Sequence, residues 1–154
     1  LYQFPSVVAD IAVNLSRRIQ MNVEGAQVLN PAAVLDWTYH QPGWEMMPYG
    51  EVCEELGVDR VVWIDVFEFR LNPPGNRWQW EGVAGASIGI VEADGFDADA
   101  FSENYDISSE FPKIAELGRE SSTEERIKTG LLATFVQQAG WLFYDHIEDK
   151  YPDA

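Results

Sequence analysis

Two long runs of strand-forming residues stand on either side of a turn, Val61-Val-Trp-Ile-Asp-Val-Phe-Glu-Phe-Arg-Leu71 and Arg77-Trp-Gln-Trp-Glu-Gly-Val-Ala-Gly-Ala-Ser-Ile-Gly-Ile-Val91. The first run is β-branched or aromatic at almost every position, which is typical of a strand. The segment between them, Asn72-Pro-Pro-Gly-Asn76, consists of residues that favour turns. The whole stretch therefore predicts a long antiparallel hairpin.

The alternation of side chains predicts a register for this hairpin. One face of the first strand carries Trp63, Asp65, Phe67, Phe69 and Leu71. Pairing Leu71 with Trp78 and Phe69 with Trp80 places aromatic residues together, whereas a slip by one residue mixes them with charged residues. We therefore expect Phe67 to point into the core and its truncation to cost about 3–5 kcal/mol.

The rest of the chain predicts helices on either side of the hairpin. The predicted elements are a helix from Ser6 to about Asn22, a strand at Ala26–Leu29, a helix from Asn30 to Trp37, a helix from Pro48 that ends at Gly57, a strand near Asn104–Ser108 and a helix that opens with the capping box Ser122–Glu125. We expect an α/β fold in which helices flank a single-layer mixed sheet with the hairpin at its centre.

The size and composition fit one domain covering residues 1–154. The chain is 46% hydrophobic, which is enough for one core, and it has no apolar run long enough to cross a bilayer. Because Leu1 is not an initiator methionine, we expect trimming at the amino end, so that any export or lipidation signal would lie upstream. The segment from about residue 148 is an acidic tail.

The charge of the chain disfavours two classes of partner. Its net charge is −16, from 26 acidic and 10 basic side chains. Such a surface repels the phosphates of nucleic acids and the headgroups of anionic lipids. We expect no nucleic-acid binding, and we regard the acidity as a solubility feature.

The residues that usually carry catalysis or bind metals are few and scattered. Neither His40 nor His146 lies at a metal-ligand spacing from Cys53, the single cysteine, which we expect to be a partly buried structural thiol. No Gly-rich phosphate loop or nucleophile turn is present. We therefore expect no catalytic residue, cofactor or metal site.

Two further groups of residues have both a structural and a functional interpretation. Asp94, Asp97 and Asp99 lack the spacing of a calcium loop, which favours an acidic turn over a cation site. Asp65 is a carboxylate in an apolar strand, so it is either hydrogen-bonded at the strand margin or a general acid with a raised pKa. We favour the structural interpretation, since no second catalytic group is spaced to assist it.

The tryptophans also have two interpretations. Trp63, Trp78 and Trp80 fall on one predicted hairpin face and Trp141 in the last helix, which favours a role in the core. The alternative is a small-ligand or glycan-binding module that uses exposed tryptophans.

The helix stop at Leu56-Gly57, followed by Val58-Asp59 and the strand at Val61–Val66, resembles a segment of the TolB amino-terminal, CsgG and LpoB group of envelope domains. The order of elements is also similar. The stretch Phe143-Tyr-Asp-His146 is similar to one in uncharacterised envelope lipoprotein-like proteins of planctomycete-type bacteria. Domains of the TolB amino-terminal, CsgG and LpoB group normally begin with a strand before the first helix. In this chain only Leu1–Phe4 could form that strand.

This resemblance implies an α/β domain of the bacterial cell envelope or periplasm, and it transfers no site residue. We expect a non-enzymatic domain whose partner is another envelope protein or a second copy, with membrane attachment only through an upstream lipid anchor. The glycan-binding module is the first alternative, and an enzyme centred on Asp65 is the second.

Overall fold

Helices flank a small antiparallel sheet in the computed structural model, which describes residues 5–93, 101, 103–112, 117–118 and 122–144. The elements are α1 (Pro5–Asn22), α2 (Pro31–His40), a 3₁₀ turn (Trp44–Met46), α3 (Tyr49–Leu56), β1 (Arg60–Arg70), β2 (Gln79–Trp80), β3 (Gly82–Glu92), β4 (Glu103–Phe111), β5 (Leu117–Gly118) and α4 (Glu124–Gly140). The predicted α/β class with flanking helices is confirmed. The predicted acidic tail lies outside the described residues.

The main sheet has the strand order β1-β3-β4, and both of its junctions are antiparallel. β2 and β5 form a separate antiparallel pair. The described strands therefore include no parallel pair, although a mixed sheet was expected. The reason is that β1 leads to β3, and β3 to β4, through connections too short for a parallel crossover.

The register of the predicted hairpin is wrong by several residues. Phe69 lies opposite Ala84 and Arg70 opposite Val83. The chain leaves the ladder after Arg70, and the backbone N–H of Glu81 rejoins it by donating to the carbonyl oxygen of Leu71 at 2.9 Å. The connection between the paired strands is thus longer than the turn at residues 72–76.

This longer connection separates the two tryptophans that were expected to pair with β1. Trp80 belongs to β2, which pairs with β5, and it is buried. Trp78 lies in the connection and is 77% exposed. Grouping the aromatic residues on one face therefore did not identify the partners of β1.

A β-bulge at Phe67 changes the alternation of β1. Val66 lies opposite Ala86 and Glu68 opposite Gly85, which leaves Phe67 as the extra residue. Up to the bulge β1 alternates regularly with Val66 on its core face, so Phe67 points away from the core and is 52% exposed. The bulge then brings Phe69, rather than Glu68, to the core face. The prediction that Phe67 points inward is wrong for this reason.

The main core lies between one face of the sheet and helices α1 and α4. Its buried residues are Val7, Ile11, Leu15, Val66, Ala84, Ala86, Ile88, Ile107, Leu131, Phe135, Val136 and Ala139. Ile11 and Leu15 form an apolar stripe at helical spacing on the first helix, as Leu131 and Phe135 do on the last helix, and both stripes face this core. The last helix ends at Gly140.

Three helix boundaries agree closely with the sequence. The side chain of Asn30 caps α2 by accepting a hydrogen bond from the backbone N–H of Ala32 at 3.0 Å. Gly57 follows α3 with a φ of 68°, a conformation that costs glycine little. Thr123, one residue after the predicted Ser122, caps α4. The strand predicted at 26–29 is absent, since these residues have no regular secondary structure.

Candidate functional site

The sheet face turned away from α1 and α4 is divided into two halves. The covered half is the outer surface of residues 61–63 of β1 and 89–91 of β3, where α3 and the 3₁₀ turn pack. The open half is the outer surface of residues 65–70 of β1, 83–87 of β3 and 106–110 of β4. Several of its side chains are exposed, and within the described ranges no helix covers it.

Aromatic rings cover the first half. They belong to Trp37, Trp44, Tyr49, Trp63 and Phe101. The Trp63 ring centroid lies 5.2 Å from that of Trp44 and 5.1 Å from that of Tyr49, and Phe101 stacks on Tyr49 at 4.7 Å. The Phe101 ring lies over Gly89, where an added Cβ would come within 2.6 Å of the ring. The aromatic rings of the covered half therefore pack closely on β3 because Gly89 has no side chain beneath the Phe101 ring.

Cys53 belongs to α3 and lies on the side of that helix that packs against the covered half. It has no solvent exposure, and its Sγ lies 4.0 Å from the carbonyl oxygen of Val91. Burial raises the pKa of the Cys53 thiol, which lowers its thiolate content and its reactivity. Cys53 is therefore more deeply buried than the sequence predicted.

The open half also contains a glycine beneath an aromatic ring. A Cβ added to Gly85 would lie 2.6 Å from the Phe67 ring, so the ring rests directly on the strand. Ser87 lies opposite Asp65 on one side and Asp106 on the other, and its hydroxyl donates to Asp106 Oδ1 at 2.6 Å. An exposed aromatic ring thus adjoins a row of hydroxyl and carboxylate groups.

The open half carries an excess of negative charge. Its guanidinium group, Arg70, lies 3.0 Å from Glu68 Oε1 and 3.7 Å from Glu81 Oε2. Asp65, Asp106 and Glu110 add three exposed carboxylates. Within the part of the chain that is described, no cluster of three or more His, Cys, Asp or Glu side chains could hold a metal ion.

In the described part of the chain, no hydrogen bond or ion pair joins Asp65, Cys53 and His40 to one another. Asp65 is exposed on the open half, since its side chain alternates away from the core, so the interpretation as a buried acid is wrong. Val91, which contacts Cys53, pairs with Val61, and Val61 lies about 13 Å from Asp65 along β1. His40 ends α2 and lies 2.9 Å from the carbonyl oxygen of Asp36.

Asp94, Asp97, Asp99 and His146 lie outside the described residues. The prediction that there is no cation site at the three aspartates therefore stays a prediction.

One feature of the surface was not found from the sequence. A groove of about 420 Å³ lies between β4 and α4 and is lined by Ser108, Ser109, Glu110, Thr134, Gln137, Gln138 and Trp141. The Ser109 hydroxyl donates to Gln138 Oε1 at 2.5 Å across its floor. The one sequence signal was the occurrence of paired polar residues, Ser108-Ser109 in β4 and Gln137-Gln138 in α4.

The tryptophans have different environments. Trp80 is buried, and Trp63 packs in the aromatic cluster, so the predicted core role holds for these two. Trp141 lines the groove. Trp78 is exposed, and the prediction that it belongs to the core is wrong.

Comparisons with known proteins identify a similar fold. No protein-family model and no curated protein matches this sequence. Among solved structures, the lipoprotein GNA1162 from Neisseria meningitidis is similar, with a TM-score of 0.54, 16% sequence identity and coverage of 88% of each chain. At this identity the likeness concerns the fold alone, and it defines an α/β domain of lipoprotein-like fold.

The finer grouping with TolB amino-terminal, CsgG and LpoB domains stays a prediction. Among the helices that the structure describes, none is both long enough and apolar enough to cross a membrane.

Proposed function

We propose that this chain is a non-enzymatic domain of the bacterial cell envelope that binds another protein through the open half of its sheet. The fold shared with the Neisseria lipoprotein supports an envelope setting. The scattered positions of Asp65, Cys53 and His40 support a role in binding rather than in catalysis.

The observation that carries this proposal is the position of Phe67. Its ring rests on Gly85 in the open half and is 52% exposed. Hydroxyl and carboxylate groups lie beside it, among them Ser87 and Asp106. An aromatic side chain within a polar rim is the usual composition of a protein-binding hot spot.

The charge supports a protein partner over the other macromolecules. A domain with a net charge of −16 meets repulsion from nucleic acid and from anionic lipid. Its exposed carboxylates instead favour a partner with basic side chains, because charge complementarity raises the rate of encounter.

A capture experiment from a bacterial envelope fraction tests the proposal. The immobilised chain is compared with Phe67→Ser and with Met21→Ser, a control that removes an exposed apolar side chain from α1, where Met21 is 77% exposed. We expect one protein to be retained by the wild type and by Met21→Ser, but not by Phe67→Ser. Retention that is insensitive to Phe67→Ser would contradict the proposal, as would recovery of nucleic acid or salt-sensitive binding to anionic vesicles.

A glycan-binding module is the second candidate, and the exposure of Trp78 favours it. A ring exposed to this extent can stack on a sugar. Titration of N-acetylglucosamine oligosaccharides into the wild type and Trp78→Ala distinguishes the two functions. Binding that is lost in Trp78→Ala but kept in Phe67→Ser would favour the glycan.

A further inference from the structure

We propose that the outer edge of β4 and the adjacent groove bind an extended, basic segment of the partner protein, which adds a fourth strand to the sheet. This inference rests on the proposed function, because it specifies how a partner would engage the open half. The argument uses the backbone of β4, the charges beside it and the groove beneath it.

The hydrogen-bond pattern determines which backbone groups β4 presents outward. The Ala93 N–H donates to the carbonyl oxygen of its partner Asp59 at 2.8 Å, so this is a hydrogen-bonded pair at the end of the β1–β3 ladder. Hydrogen-bonded and non-hydrogen-bonded pairs alternate in such ladders. β3 therefore directs the backbone groups of its even-numbered residues, such as Ala86, toward β4.

The same alternation applies to β4. Ala86 lies opposite Ile107, so the backbone groups of Ile107 bond inward. The backbone N–H and C=O groups of Asp106, Ser108 and Glu110 then point away from the sheet. In the described residues no strand lies beyond β4, so these groups form an edge to which an extended peptide can bind.

The side chains along this edge specify a basic segment. Asp106, Ser108 and Glu110 place two carboxylates on the open face with a hydroxyl between them. On a strand paired with β4, the two residues directly opposite Asp106 and Glu110 would also be four residues apart. Lysine or arginine at both positions, with a small or hydroxyl residue midway, gives opposite charges directly across the strands.

The groove provides space for the alternate side chains of the same segment. Ser109 and Gln138 lie on its floor, while Thr134 and Trp141 belong to α4 and to the residue that follows it. A strand along β4 turns every second side chain into this groove. Hydroxyl and amide groups beside an indole favour small or medium side chains with a polar end, such as threonine.

A second copy of this chain fits the edge poorly. If two β4 strands paired antiparallel about Ser108, each Asp106 would face a Glu110, and like charges directly opposite are destabilising. The other edge of the sheet is also less suitable, because the bulge at Phe67 interrupts β1, and bulges twist an edge away from pairing.

Fluorescence polarisation with a labelled peptide tests the proposal directly. The probe is nine residues long, the length of β4, with lysines at the spacing of Asp106 and Glu110 and threonine between them. One control peptide has the lysines one residue closer, which places them on opposite faces. The other has glutamate in place of both lysines. We expect only the first peptide to bind the full chain at physiological salt.

Matched protein variants locate the site. Asp106→Asn with Glu110→Gln removes two charges from the β4 edge, and Glu54→Gln with Glu55→Gln removes the same charge from the exposed surface of α3. We expect the first pair to weaken binding about fivefold and the second to change it less than about twofold. Ser108→Pro deletes an outward N–H and should abolish binding, while an edge strand tolerates the proline.

Several outcomes would overturn the proposal. Two concern the peptide: the two charge-matched pairs of variants weaken its binding equally, or the control peptides bind as well as the probe. Two concern other occupants: N-acetylglucosamine oligosaccharides bind in the groove, or sedimentation shows a dimer that Ser108→Pro dissociates. If Ser108→Pro does not fold, the charge pairs alone decide the result. An envelope protein whose capture depends on Phe67 but not on these β4 variants would leave the proposed function intact and remove this inference.

Discussion

The covered and open halves of the outer sheet face use the same local contact for different purposes. In each half a glycine of β3 lies beneath an aromatic ring, Gly89 beneath Phe101 and Gly85 beneath Phe67. Phe101 is held by Tyr49 and Trp63, whereas Phe67 is half exposed. β3 therefore forms the same glycine–ring contact in both halves. The two halves differ because α3 and the 3₁₀ turn pack on one of them and leave the other exposed.

The largest expected difference between the halves concerns their aromatic residues on β1. Trp63→Ala should lower the free energy of unfolding by about 3 kcal/mol, because it removes a ring packed on three others. Phe67→Ala should lower it by about 1 kcal/mol, since the ring is half exposed.

Urea denaturation of both variants measures this difference. Equal losses would mean that the open half is packed as tightly as the covered half. In that case the surface proposed for binding would be part of the core.

The glycines give a smaller and more local contrast. Gly89→Ala should cost about 1–3 kcal/mol, because the new methyl group meets a Phe101 ring that its neighbours hold in place. Gly85→Ala should cost less than about 1 kcal/mol, because Phe67 can swing into solvent. Thermal unfolding of the two variants measures the contrast, and a larger cost at Gly85 would contradict it.

The next prediction concerns pH and the Cys53 thiol, which lies between α3 and the covered half. Burial raises the pKa of Cys53 in the folded state, so the unfolded chain releases this proton first as the pH rises. The contribution of the protonated thiol to the free energy of unfolding is therefore complete below the pKa of cysteine in the unfolded chain, about 8.5. This contribution is lost as the pH rises from there toward the higher pKa of Cys53 in the folded state.

Urea midpoints compared at about pH 7.5 and about pH 9.5 should therefore fall further for the wild type than for Cys53→Ala. If the urea midpoint changed equally with pH in the two proteins, the thiol would make no contribution to the pH dependence of stability. Because the comparison is between slopes, the cost of the cavity in Cys53→Ala does not affect it.

The smallest effect is expected where the covered half reaches solvent. Glu92 lies 3.3 Å from Arg60 across the strands, and the Arg60 side chain is 71% exposed. Glu92→Ala should change the free energy of unfolding by less than about 0.5 kcal/mol, because exposed ion pairs contribute little. A double-mutant cycle with Arg60→Ala would reveal a stronger coupling if one exists.

Local signals in the sequence located most of the elements. Asn30 and Gly57 placed helix boundaries through groups that act within one turn of the chain. The pairing of the two long strands followed from their length and composition. The stripe containing Ile11 and Leu15 identified the buried face of the first helix.

Contacts between distant residues were harder to anticipate. The register failed because both the long connection and the bulge at Phe67 depend on tertiary packing, which alternation alone does not reveal. The groove between β4 and α4 joins residues about 30 positions apart, such as Ser109 and Gln138. The open half could not be predicted from the sequence, because it is defined by the positions of α3 and the 3₁₀ turn on the neighbouring half.

The bulge in β1 has a consequence for how the chain tolerates changes in length. Removing one residue from the middle of a strand normally turns all later side chains to the wrong face. Here Phe67 has no partner in the ladder, so its deletion would bring Glu68 into regular alternation opposite Gly85. Phe69 would keep its place on the core face. This position is where a single-codon deletion should leave the fold intact while it removes the exposed ring.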